Sequence, residues 1–262
     1  MSTANNWLGP IEGSHMVIAG GCGGIGLELV KQALTHKLRV TVLDLPASMK
    51  DESRVEGTSY IGFDAGNERS IQLALQTLGQ QCERVDSFVF LCDYPILPRR
   101  ELPKVSLNEW NVLMAVNLTS AYLLSTGLLP LLKKSDSASI VTVASSLGYQ
   151  VMPGMGAYAT SKAGLVGLTK VLAMENAPSV RANVVAPGAV NTEFLSGGAG
   201  HAPTETGRAW FDNMADKYVA SIPLGRVAQA ADITGPIFFL AGSGSAYMTG
   251  QVLHLNGGRM TP

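Results

Sequence analysis

Residues Met16 to Gly26 read MVIAGGCGGIG. Four of the first five residues are apolar and two are β-branched, which suits a buried strand. The glycines that follow, spaced G-x-x-x-G-x-G, suit a sharp turn into a helix. The pattern repeats along the chain. A helix is expected over Gly24 to His36, and the next strand over Arg39 to Asp44 (RVTVLD). Further strands are expected at Thr58 to Asp64, Asp86 to Cys92, Ala138 to Ser145, Val180 to Ala186 and Gln251 to Leu255, with helical stretches between them. Strands that are apolar throughout are buried on both faces, which requires helices on both sides of a parallel sheet. The expected fold is a doubly wound α/β domain.

Composition narrows the classes of function. The 262 residues are 46% apolar and 15% charged, with 19 basic side chains against 20 acidic ones and a net charge of −1. No block of like charge offers the phosphate contacts of a nucleic-acid binder. No apolar run reaches the length of a membrane-spanning helix, so no membrane partner is expected. Cys22, Cys82 and Cys92 form an odd set without C-x-x-C spacing, and His15, His36, His201 and His254 show no paired spacing. Neither a disulfide framework nor a metal site is expected. The start, MSTANNWLGPIEG, has no basic residue and no apolar core of a signal peptide, so a cytoplasmic location is expected. Gly13 to Met16 (GSHM) resembles a cloning scar but leads directly into the first strand and is read as native. No linker divides the chain, so 1–262 is read as one domain. The small-residue stretch within 191–223, followed by amphipathic Trp210 to Tyr218, suits a lid over a site.

The first turn points to a dinucleotide. Glycines there let backbone approach a pyrophosphate, whose charge meets the free N–H groups of a helix start. Gly20, Cys22, Gly24, Ile25 and Gly26 are the candidate contacts. Asp44, ending the second strand, is either a turn former before Leu45-Pro46 or an acceptor for adenosine ribose hydroxyls. In the second role it repels a 2′-phosphate by about 3 to 4 kcal/mol at roughly 4 to 5 Å and an effective dielectric near 20. No cation nearby offsets this, so NAD is expected over NADP. Asp64, with Ala65 beside it, either meets the adenine or caps the next helix.

The second candidate cluster is chemical. Tyr158 and Lys162 in GAYATSKAGLVGL stand four apart, on one face of a helix striped by Leu165, Leu168 and Leu172. An ammonium about 5 to 6 Å from a phenol stabilises phenolate by about 3 kcal/mol, or about two pKa units. That makes Tyr158 an expected acid/base near neutral pH. Ser145 lies 13 residues earlier, at the C-terminal end of SIVTVAS, where ligands sit in such sheets. Asn117, a poor helix former within EWNVLMAVNLTSAY, either supports a water-linked proton path to Lys162 or satisfies buried backbone.

In this order the motifs resemble those of the short-chain dehydrogenase/reductase family over nearly the whole chain. AGGCGGIG is similar to the family's TGxxxGIG, with Ala19 for Thr; VNLTSAY, IVTVASS and YATSK carry the Asn, Ser, Tyr and Lys of its tetrad. ANVVAPGAVNTEF is similar to the segment that grips the nicotinamide carboxamide, placing Pro187, Gly188, Val190 and Thr192 at the cofactor, and YMTGQVLHLNGG is similar to the closing strand. The resemblance implies a Rossmann-type sheet of seven parallel strands, NAD(P)-linked interconversion of alcohols and ketones, and a homotetramer or homodimer. It implies that Tyr158 is the acid/base and also a cofactor contact, Lys162 lowers its pKa and holds the nicotinamide ribose, Ser145 polarises the carbonyl and Asn117 completes the relay. One segment departs: where the family has NNAG, this chain has Phe90, Leu91, Cys92 and Asp93. Asp93 brings bulk and negative charge to the nicotinamide side, acting on cofactor affinity or on substrate.

The leading expectation is an NAD-dependent alcohol dehydrogenase acting on a small-molecule secondary alcohol or its ketone. The alternatives are an NADP-dependent biosynthetic ketoreductase and a catalytically impaired dinucleotide-binding regulator. Tyr94, Tyr149, Met152, Met155, Phe194, Trp210 and Phe211 are candidate cleft or lid residues for an apolar ligand. Arg208 and Lys217 either meet an acidic group or face solvent.

Overall fold

A computed structural model describes residues 7–196 and 215–261. The central feature is a seven-stranded, wholly parallel sheet in the order β3-β2-β1-β4-β5-β6-β7. Its strands are β1 (His15–Ala19), β2 (Arg39–Asp44), β3 (Thr58–Gly62), β4 (Ser87–Phe90), β5 (Ala138–Val143), β6 (Val180–Pro187) and β7 (Val252–Leu255). The expected doubly wound, Rossmann-type architecture is therefore what the chain adopts. Helices bounded within the described residues accompany the strands: α1 (Gly24–Thr35), α2 (Glu68–Gln81), α3 (Leu107–Met114), α4 (Ser120–Leu132), α5 (Gly156–Asn176) and α6 (Ala230–Ala241).

Alternation along β1 shows why the strands read as apolar throughout. Val17 and Ala19 enter one core with Phe88, Phe90, Ile71, Leu124, Leu128 and Leu165, under α2, α4 and α5. Met16 and Ile18 enter the opposite core with Leu29, Val42, Val141, Ile237 and Phe238, under α1 and α6. Each face is thus covered by a helical layer, as continuous apolar strands require.

Several strands end earlier than their sequence implies. β3 stops at Gly62, β4 at Phe90 and β5 at Val143, so Asp64, Asp93 and Ser145 lie just beyond their strands. There the backbone leaves the ladder and turns over the sheet's C-terminal edge. β1 pairs with β2 on one side and β4 on the other, and chain order reverses between them. Ligands of open α/β sheets bind in the crevice at such a point.

Helix boundaries follow local chemistry. Asn67 caps α2 by accepting from Ser70 N at 3.0 Å. Ser106 and Glu109 form a reciprocal capping box that starts α3. α3 and α4 are joined by a π-helical turn, Ala115–Thr119, containing Asn117. Together Leu107–Leu132 make 26 helical residues, apolar enough by length and composition to cross a bilayer. The sequence expectation missed this because interspersed Asn, Ser and Thr break the apolar runs without lowering the mean hydropathy far. In the fold, Leu113, Leu124, Leu128 and Leu132 of this helix are fully buried in the cores. Of the lid expected at 191–223, a 3-10 turn at Glu193–Ser196 and a helical piece at 215–220 are described. His201, Arg208, Trp210 and Phe211 lie outside the described residues.

Candidate active site

A cavity of about 870 Å³ runs along the C-terminal edge of the sheet, across the crevice between β1 and β4. One end is built by the turn after β1. Gly20 adopts φ +86°, open to glycine but strained for other residues, and turns the chain out of β1. Gly26 lies so close to the turn's own backbone that a Cβ there would collide with Gly20 O and approach Gly21 Cα to 2.7 Å. α1 begins at Gly24 with no side chain capping its N-terminus, leaving its first N–H groups for an anion. Cys22, Gly24 and Ile25 line this end.

Asp44 closes β2 beside the turn. Its Oδ2 accepts from Cys22 N at 2.8 Å and its Oδ1 from Leu45 N at 2.7 Å. Burial pushes its carboxyl up, opposed by those backbone donors. Asp44 therefore ties the glycine turn to β2 while facing the cavity. Asp64 accepts from Gly66 N at 2.8 Å and lines the cavity with Ala65; the cap of α2 is Asn67 instead. Pro187, Gly188, Val190 and Thr192, beyond β6, form the wall opposite. A Cβ on Gly24 would come within 2.6 Å of Thr192 Cγ2, so the two segments almost touch. A glycine cradle, an uncapped helix start, a carboxylate by the second strand and this wall together fit a dinucleotide.

At the other end α5 presents Tyr158. Its hydroxyl donates to Asp93 Oδ2 at 2.7 Å. Asp93 Oδ1 makes an ion-pair contact of 3.2 Å with Lys162 Nζ, short of hydrogen-bond geometry. Lys162, 1% exposed, also donates to Val143 O at 3.2 Å, and its Nζ lies 5.5 Å from the centre of the Tyr158 ring. Lys162 and Tyr158 are thus neighbours on one helix face, but a carboxylate stands between their polar ends. The expected acidification of the phenol is not what this arrangement produces. Burial pushes Tyr158 well above the ordinary phenol range, and the charge and hydrogen bond of Asp93 add to the effect. A hydrogen bond with Ser145 acts the other way. Sequence reasoning omitted the cause because the Tyr–Lys spacing lies within one helix, whereas Asp93 reaches it from beyond β4.

Ser145 lies just past β5, lines the cavity and accepts from Leu147 N at 3.1 Å. Asn117 is fully buried. Its Oδ1 accepts from Tyr94 N at 2.7 Å, and its Nδ2 donates to Tyr94 O at 3.1 Å and to Ser161 Oγ at 3.2 Å. It clamps the backbone next to Asp93.

Met152, Met155, Tyr94 and Phe194 line the cavity near Tyr158. Tyr149 instead packs edge-on to His254 at 4.6 Å between ring centres, and Lys217 is exposed. Tyr218, Arg99 and Arg259 join the lining. Tyr218 accepts from Ala189 N at 3.1 Å, and the Arg259 guanidinium stacks 4.6 Å from its ring centre. No periodicity or spacing marks these three.

The comparisons match this architecture. A sequence profile described as Enoyl-(Acyl carrier protein) reductase matches residues 20–260. The chain belongs to that family, within the short-chain dehydrogenases/reductases. It is 28% identical to a 3-oxoacyl-(acyl-carrier-protein) reductase of Vibrio harveyi over 95% of this chain and 98% of that protein. It is also 28% identical to the protein of the same name from Escherichia coli K12, over 94% of this chain and 97% of that one. Among solved structures it resembles a short chain dehydrogenase from Leptospira borgpetersenii with bound NAD+, at 27% identity and TM-score 0.81, covering 98% of this chain and 96% of that one. The chain is thus an oxidoreductase of this family, and a nicotinamide dinucleotide is its cofactor class.

Proposed function

We propose that the protein interconverts a secondary alcohol and its ketone, prefers NAD(H), and uses Tyr158 to pass the proton at the reacting oxygen. The observation that carries this reading is the meeting of Ser145 and Tyr158 in one cavity with the glycine turn and Asp44. When bound, the nicotinamide gives or takes a hydride. The chain's own part is then to orient the oxygen through Ser145 and to move a proton through Tyr158. Gly20, Cys22, Gly24, Ile25 and Gly26 would hold the pyrophosphate, Asp64 and Ala65 the adenine, and Pro187, Gly188, Val190 and Thr192 the nicotinamide. The inward-facing Asp44 carboxylate supports NAD over NADP by like-charge repulsion.

A second reading, NADP-linked reduction of a 3-oxoacyl thioester, is supported by the names of the bacterial relatives. Following nicotinamide absorbance over panels of secondary alcohols, ketones and 3-oxoacyl thioesters, with each cofactor, separates the two. Dissociation constants for NAD and NADP give an independent answer. In the same assay Tyr158→Phe is expected to lower turnover about 10²- to 10⁴-fold. Full activity in that variant overturns the assigned role. Tight binding without turnover of any substrate favours a regulatory dinucleotide binder.

The protein is further proposed to act as a homodimer or homotetramer. Val112 and Tyr122, on the long helix 107–132, and Val171 and Met174, on α5, are large apolar side chains exposed on the isolated chain.

A further inference from the structure

Asp93 stands where the family pattern has glycine, and it holds both polar groups of the Tyr158–Lys162 pair. Its Oδ2 accepts the Tyr158 hydroxyl at 2.7 Å, and its Oδ1 faces Lys162 Nζ at 3.2 Å. Asn117 fixes both backbone groups of Tyr94, the next residue, so the carboxylate is aimed from a clamped segment. Lys162 is buried, and its other polar partner is a neutral carbonyl, Val143 O. The ammonium's charge is therefore answered by Asp93 rather than left to act on the phenol.

We infer that Asp93 is the proton acceptor of this site, taking the phenolic proton of Tyr158 as Tyr158 takes the proton of the alcohol. The inference rests on the reading of Tyr158 as the group at the reacting oxygen. In the oxidising direction the alcohol O–H bond breaks and its proton goes to Tyr158 Oη. The Tyr158 O–H bond breaks in turn and that proton goes to Asp93 Oδ2. The carbinol C–H electron pair leaves as hydride to the oxidant, the nicotinamide. The products are ketone, reduced nicotinamide and protonated Asp93, and Tyr158 is regenerated as phenol. Reduction is the reverse. No free phenolate is needed, which suits a tyrosine whose environment opposes ionisation.

The titratable groups facing Asp93 are Tyr158 and Lys162 from α5 and Cys92 from its own segment; Tyr94 supplies a backbone hydrogen bond. Burial pushes the Asp93 carboxyl up, while Lys162, Tyr158 and that backbone contact pull it down. A carboxylate shifted upward is better matched to proton transfer near neutrality than an ordinary one. Asp93 lines the cavity, giving its proton a route to solvent.

The test titrates tyrosinate absorbance in the cofactor-free protein, Asp93→Asn and Asp93→Gly, each subtracted from its Tyr158→Phe counterpart. Circular dichroism checks the fold of every variant. In both Asp93 variants Tyr158 is expected to ionise roughly two pH units lower than in the parent, as Lys162 becomes free to act on it. Unchanged Tyr158 ionisation in both folded variants overturns the inference. Turnover against pH is the second measurement. Alcohol oxidation at neutral pH is expected to fall about 10²-fold in Asp93→Asn and to recover as pH rises. Parental rate and an unmoved acid limb in that variant also overturn the inference. If no protein in the set turns over any alcohol or ketone, the oxidoreductase reading fails and the proton-acceptor role falls with it; turnover in the parent with unchanged Tyr158 ionisation in the Asp93 variants overturns the Asp93 role alone.

Discussion

Asp93 shows how one side chain changes the meaning of a motif. Tyr158, Lys162, Ser145 and Asn117 are legible in sequence because their spacing and order are local patterns. The state of the phenol is not, because it depends on a residue 65 positions away that is joined to it by a hydrogen bond. The thiols follow similar logic. Burial, followed by the charge and hydrogen bond of Asp44, pushes Cys22 up to about 12. Burial also pushes Cys82 and Cys92 up. Thiolate is the reactive form, so all three should resist a disulfide reagent at pH 8 in the native protein. Labelling at least about 10-fold slower than in denaturant is the expected outcome, read by thiol absorbance; fast labelling of a native thiol would contradict it.

Elements were legible wherever the apolar pattern was clear, as for α1, β2 and α5. Their ends were less so, because a strand stops where its partner's ladder stops, which sequence does not show. The turn into α1 gives a sharp test. A Cβ at Gly26 would meet backbone rather than a flexible side chain, so nothing can yield without moving the turn. Gly26→Ala should cost about 1 to 3 kcal/mol in chemical denaturation. It should also lose any stabilisation that an added nicotinamide dinucleotide is expected to give the parent. At the start of α6, Arg226 holds Asp232 through contacts of 2.6 and 2.8 Å. The Asp232 carboxyl is thereby kept down at about 2, against an ordinary 3.8, with the Arg226 hydrogen bonds the main cause. A depressed acid contributes stability above its unfolded value and loses it as pH falls through the folded one. Asp232→Asn should therefore be less stable than the parent at pH 6, with the gap closing towards pH 2. Both partners are well exposed, so solvent and salt screen the charge part and the gap should be small. Equal gaps at the two pH values would remove the ionic contribution.

At the scale of the whole molecule, the sheet order was legible through strands apolar on both faces, and so was the site's place at their C-terminal edge. Assembly was not. Exposed Val171 and Met174 on α5 lead to an expected mass of two or four chains by sedimentation equilibrium. Val171→Lys combined with Met174→Lys should shift that mass towards one chain without altering circular dichroism. A parent that sediments as a single chain rules the assembly out.

The π-helical turn at Ala115–Thr119 has a consequence for how this architecture tolerates change in length. The half before it carries Trp110 and Leu113 towards the tyrosine, while the half after it drives Leu124, Leu128 and Leu132 beneath the sheet. Deleting one residue from the turn would swivel one half against the other by about 100°. The tyrosine's surroundings and the sheet's underside could then no longer both be satisfied, so a length change harmless in a surface loop would here undo either the chemistry or the core.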